Sequence, residues 1–120
     1  MSVKLSILFR KKAELDNDAY NSYWSNEHAK VFTGLKCVRS RMARYDQYHT
    51  SPTQTATLKS MGIPIAPYDG CAEFYFHTMD DLISVITDSE YGQFVPPDLA
   101  KFLDLESCQM LVGMTERKMG

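Results

Sequence analysis

Cysteine is scarce and odd in number: Cys37, Cys71 and Cys108 are scattered over 120 residues. Such a set builds no disulfide framework and points to a reducing compartment, so a cytoplasmic protein is expected. Long apolar runs are missing too. None approaches the ~20 residues of a membrane span, and the polar start Met1-Ser2-Val3-Lys4 does not read as a secretion signal. No charge sign dominates: 13 Lys and Arg stand against 15 Asp and Glu, for a net charge of −2. With a pI near 5.9, neither nucleic acid nor an anionic membrane is an expected partner. No glycine-rich dinucleotide loop or phosphate-cradling loop occurs. His28, His49 and His77 fall on separate stretches, and no pair of ligands has metal-site spacing. The expected cofactor and metal complement is therefore none, which confines chemistry to proton transfer, desolvation and a shaped pocket.

What is present is enough for one packed domain spanning 1–120: 13.7 kDa, 44% hydrophobic residues and 23% charged. Aromatics are the mild excess at 12%. Val3, Leu5, Ile7 and Phe9 alternate with Lys4, Ser6, Leu8 and Arg10, a half-buried strand. Asp16 is placed to cap a helix that runs to Gly34. Its stripe is Tyr20, Tyr23, Trp24, His28, Val31 and Phe32. A second strand is predicted over Val38–Tyr48. A long Pro- and Thr-containing connection follows from Thr50 to Tyr68, with one helical turn around Ala56–Met61. Asp69-Gly70 then opens a third strand, Cys71–Phe76. Thr78 caps a helix through Leu82, Ile83 and Ile86. Pro96-Pro97 are expected to break the chain, with Pro97 starting a short helix that ends near Leu103. Ser107–Met114 is the fourth strand. No internal repeat is visible.

The order β-α-β-loop-β-α-β predicts an α+β fold: a ferredoxin-like β-α-β-β-α-β protomer with an antiparallel four-stranded sheet and helices on one face. The other face would be bare, with apolar groups from the first and last strands. A second copy is the simplest cover, so a homodimer is expected.

The strings Tyr20-x-x-Tyr23-Trp24-x-x-x-His28-Ala29, Arg44-Tyr45, Tyr68-Asp69-Gly70-Cys71-Ala72-Glu73-Phe74-Tyr75-Phe76 and Phe102-Leu103-Asp104 together resemble the EthD-domain family of the dimeric α+β barrel superfamily. The resemblance spans nearly the whole chain, and the insertion at 50–68 is most similar to the fungal polyketide-tailoring subset. It implies a dimeric α+β barrel with a cavity between helices and sheet in each protomer. It further implies a cofactor-independent lyase, cyclase or isomerase acting on an aromatic polyketide intermediate in secondary metabolism, by decarboxylation, dehydration or ring closure. Relatives of that superfamily also include cofactor-free anthrone oxygenases. A non-catalytic binder of hydrophobic small molecules is a third reading.

His28 is the first candidate for catalysis. An imidazole among aromatic neighbours loses solvation, which favours its neutral, proton-accepting form. The resemblance also places the acting histidine there. The competing reading is a histidine hydrogen-bonded across the helix–sheet seam. Tyr45 matches a cavity tyrosine of the isomerase relatives, where its hydroxyl would stabilise an oxyanion. His49 shares its parity and is a candidate second proton carrier at the cavity mouth, against the plainer reading of an exposed loop histidine. Tyr20, Tyr23, Trp24, Phe74 and Phe102 are expected to wall the pocket. Phe74 stands where the isomerases carry a cysteine, which argues against isomerisation here. Glu73 is expected to face the partner sheet and pair with an arginine. Arg39, Arg41 and Arg44 read as surface or interface charge, and His77 as a solvated turn residue.

Overall fold

The computed structural model describes residues 2–120. Its sheet is formed by β1 (Val3–Lys11), β2 (Met42–His49), β3 (Gly70–Phe76) and β4 (Leu103–Gly113). The strand order is β2-β3-β1-β4, and every neighbouring pair is antiparallel. This is the ferredoxin-like arrangement the element order predicts. The helices other than the one in the 50–68 connection lie on one face, where Leu5, Phe9, Ala72, Phe74 and Phe76 are buried against Tyr20, Trp24 and Phe32.

The first helix is capped as expected. Asp16 Oδ1 accepts from the Ala19 amide at 2.7 Å, and the helix ends at Gly34. It is not uniform. α1 (Asn17–Ser22) passes into a π-helical segment (Tyr23–His28) and then α2 (Ala29–Thr33). The buried residues are Tyr20, Trp24, His28 and Phe32, each four after the last. In a regular α-helix each such step drifts about 40° around the axis. A π turn holds more residues and so rotates less per residue, offsetting that drift across the middle step. The wide turn is what keeps four large side chains on one face.

Four sequence expectations are corrected. Val38–Arg41 belong to a helix, α3 (Lys36–Arg41), not to β2. Cys37 and Val38 bury beneath it, and Arg39 folds back to donate to the Gly34 carbonyl at 2.7 Å. The connection at 50–68 contains a nine-residue helix, α4 (Pro52–Ser60), rather than one turn at 56–61. Ser51 caps it and Pro52 begins it, but no residue of it is buried, so no apolar stripe announces it. After α5 (Met79–Ile86), capped by Thr78, the chain enters α6 (Ser89–Leu99) and runs through both prolines. The prolines remove the donors for the Gly92 and Gln93 carbonyls, but those residues are exposed and water takes the lost partners. Finally, β4 starts at Leu103, four residues before Ser107, because a bulge lies between the pairings of Arg10 with Asp104 and Leu8 with Gln109.

The uncovered sheet face is also more polar than expected. Lys4 pairs with Glu73, a lysine where an arginine was anticipated, and Arg44 pairs with Asp46 at 2.9 Å. Both cations lie over the Tyr75 ring. The exposed apolar surface concentrates instead on the distal half of β4, where Met110, Leu111 and Val112 are each more than 60% exposed. Met110 and Val112 stand opposite Ile7 and Leu5, on the helix side of the sheet, yet no helix covers them. No helix among the described residues is long and apolar enough to cross a membrane.

Candidate functional site

His28 sits at the end of the π-helical segment with 4% of its surface exposed. Its Nδ1 lies 2.7 Å from Oδ2 of Asp98, and Asp98 is itself 5% exposed. The other carboxylate oxygen, Oδ1, accepts the Tyr23 hydroxyl at 2.5 Å and has the Lys101 ammonium at 3.7 Å. The long helix and α6 are thus joined through a buried carboxylate with three partners.

Burial pushes the His28 imidazole below its ordinary 6.5, outweighing the upward pull of Asp98. Burial alone would raise Asp98, but hydrogen bonds from Tyr23 and His28, with the charges of His28 and Lys101, bring it below 3.8. Both directions describe one state: a neutral imidazole beside an ionised carboxylate. Its proton then resides on Nδ1, donated to Asp98, and the Nε2 lone pair is left as the acceptor. No hydrogen bond to Nε2 is made among the described residues. Burial and Asp98 push the Tyr23 phenol up to about 12, so it remains a donor.

His28 lines an apolar cavity together with Trp24, Phe32, Phe74, Phe102 and Cys108. Its volume is about 30 Å³, room for one water molecule and not for a fused aromatic. The pocket expected beneath the first helix is thus almost filled by side chains. The ring of Phe102 stands 5.0 Å from that of His28, and Phe32 stacks on Phe74 at 5.0 Å.

The predicted site residues divide between this chamber and its surroundings. His28, Trp24, Phe74 and Phe102 line it, whereas Tyr23 backs it through Asp98. Tyr20 is buried, but its hydroxyl has no hydrogen-bond partner and packs toward Gly70. Tyr45 is outside the chamber lining. It packs on Phe32 and Phe74 while its hydroxyl accepts from Gln47 Nε2 at 2.8 Å. His49 is partly buried rather than loop-exposed. Its ring packs at a tilt on Trp24 with centroids 4.2 Å apart, Nε2 is 2.9 Å from Gln47 Oε1 and Nδ1 is 2.6 Å from Asn21 Oδ1. Gln47 also donates to the Trp24 carbonyl, which orients its amide and assigns the His49 proton to Nε2; Nδ1 is then an acceptor, which requires the Asn21 amide to present its nitrogen there. Burial lowers the His49 pKa. His77 is exposed, as read.

Asp98 escaped the sequence reading because it follows two prolines and resembles a turn acid. The signal was a core spacing: Tyr91, Val95, Asp98 and Phe102 recur at helical intervals, with an acid in an otherwise apolar row.

The EthD domain family matches positions 12–106. The chain is 27% identical over 116 residues to the conidial pigment biosynthesis dehydratase EthD of Metarhizium robertsii, covering 93% of this chain and 81% of that one. It is 26% identical over 113 residues to the dehydratase ustZ of Ustilaginoidea virens, covering 91% and 80%. Among solved structures, a dimeric protein of ferredoxin-like fold from Bacteroides fragilis superposes with a TM-score of 0.63 at 14% identity, covering 95% of this chain and 96% of that one.

Proposed function

Because the chain belongs to the EthD domain family, we propose that it is a polyketide-tailoring dehydratase, a lyase that removes water from a hydroxylated aromatic precursor. The observation that carries this reading is the buried pair of His28 and Asp98, with a neutral imidazole whose Nε2 is free. The two fungal relatives are named dehydratases, which favours dehydration over decarboxylation or ring closure.

The chemistry needs one base and one acid. His28 Nε2 takes the proton from the carbon next to a ketone. The C–H electrons form the new C=C bond as the C–O bond of the β-hydroxyl breaks. The departing hydroxide takes a proton from the imidazolium and leaves as water. Asp98 steadies the transient imidazolium and holds the tautomer, and Tyr23 holds the carboxylate. In a partly reduced ring, loss of water restores aromaticity. The walls supply desolvation, and Trp24 or α6 must yield for a substrate to reach the base.

The chain is further proposed to act as a homodimer, since distal β4 is too apolar to stay bare and a dimeric protein shares its fold. The catalytic reading is tested with a hydroxylated dihydronaphthalenone and the purified chain. Wild type is expected to release the aromatised product, 18 mass units lighter as one water is lost (about 18 by simple stoichiometry). His28→Ala is expected to fall at least about 100-fold while remaining folded. Turnover retained in folded His28→Ala refutes the assignment.

A further inference from the structure

The chamber at His28 is not the largest hollow near these residues. A cavity of about 620 Å³ lies on the opposite face of the sheet, beneath α4. That is within the range of small-molecule sites, roughly 300–1,000 Å³. Its floor is Leu8 and Cys71, and Leu58 and Ile65 come from the 50–68 segment above. Tyr48, Tyr68 and His49 contribute aromatic faces. Thr50, Ser51, Gln54 and Thr55 supply a hydroxyl- and amide-bearing rim. No lysine or arginine lines it, and its one carboxylate, Glu73, is already paired with Lys4. A carboxylate or phosphate ligand would find no counter-charge there. A neutral planar ring system bearing hydroxyls would find apolar floor, stacking faces and hydrogen-bonding partners together.

The two hollows lie on opposite faces of the sheet and come near each other at Gly70. Gly70 lines the outer cavity, and a Cβ built on it would lie 2.7 Å from Trp24 Cζ3 and 2.9 Å from Cη2. The same indole lines the His28 chamber and packs on His49. A group resting against His49 in the outer cavity therefore touches a ring that itself packs on the indole wall of the inner chamber.

We propose that the cavity beneath α4 is a binding site for a neutral, hydroxylated, planar aromatic molecule, separate from the His28 chamber and on the other face of the sheet. The choice of an aromatic polyketide as occupant rests on the function proposed above, whereas the class of ligand follows from the lining.

Trp24 is the only tryptophan in the chain, so its emission reports on this wall directly. The experiment titrates the full chain with danthron, a neutral dihydroxyanthraquinone, and follows quenching of Trp24. Saturable quenching is expected for wild type. The double variant Leu58→Glu/Ile65→Glu alters only the 50–68 segment, away from the buried core, and is expected to weaken binding at least tenfold with unchanged thermal unfolding. His28→Ala is expected to bind as wild type does. No saturable quenching, or a double variant that binds like wild type, overturns the proposal. Binding lost only in His28→Ala overturns it too and moves the ligand to the inner chamber. Dehydration read in parallel keeps the two ideas apart. Turnover lost in His28→Ala with binding indifferent to the double variant sinks this site and spares the catalytic reading. The reverse pattern does the opposite.

Discussion

Asp98→Asn is the most informative single change. It keeps the size of the side chain and an oxygen to accept from His28 Nδ1, but removes the charge. The pair it alters is short, 2.7 Å, and about 5% exposed on both sides, so solvent does little to screen the loss. A hydrogen bond to a charged partner contributes about 1.5–3 kcal/mol. If the carboxylate steadies imidazolium as it forms, kcat should fall roughly 10- to 150-fold at about 1.4 kcal/mol per decade. Asp98 raises the His28 pKa against the larger effect of burial, so its removal lowers that pKa further. The acid limb of the kcat/KM profile should therefore move to lower pH. Stability carries a matching sign. The folded His28 pKa lies below 6.5, so the native chain binds fewer protons than the unfolded one, and stability is lost as pH falls below 6.5. Asp98, depressed below 3.8, adds a second loss under that pH. In Asp98→Asn the first loss should steepen and the second should vanish. Steady-state kinetics at about pH 4 to 8 and thermal unfolding at about pH 2 to 8 read both effects. A folded Asp98→Asn enzyme with wild-type kcat and an unmoved acid limb refutes the role given to the carboxylate.

Two further outcomes are expected. Gly70→Ala places a methyl group 2.5 Å from the Tyr20 hydroxyl and 2.7 Å from the Trp24 ring, and should cost about 1–3 kcal/mol in denaturant unfolding; an unchanged midpoint contradicts the close packing. Sedimentation should give twice 13.7 kDa for the wild type, and Leu111→Glu/Val112→Glu should shift it toward the single-chain mass; a wild-type monomer at micromolar concentration rules out the proposed dimer.

The inward-facing residues of the first helix were legible because burial and spacing agree. Tyr20, Trp24, His28 and Phe32 repeat every four positions, and the long helix buries all of them. Sheet strands with clean alternation, β1 and β3, were legible for the same reason. Elements without an apolar face were not. α4 has a cap and an N-terminal proline but nothing to bury, so only one turn of it, around Ala56–Met61, was anticipated. α3 hid behind Val38, a residue common in strands that here packs inward from a helix. α6 hid behind prolines, whose usual meaning fails when the lost donors face water. Asp98 was invisible along with α6, because a carboxylate becomes noteworthy only when its neighbours across the fold are known. The chamber's small volume was equally beyond reach, since spacing tells which side chains turn inward but not how tightly they meet.

The π-helical turn has a last implication for how this site tolerates change. Ser25, Asn26 and Glu27 point to water, where substitutions ordinarily leave a protein indifferent. Here they lie within the stretch whose unusual winding sets the bearing of the imidazole relative to α6. Their side chains need contribute nothing; the backbone between Tyr23 and His28 acts like a shim, and any residue that tightens it to ordinary pitch swings the histidine out of line with its carboxylate. The setting of a buried ring is thereby made answerable to three residues on the surface.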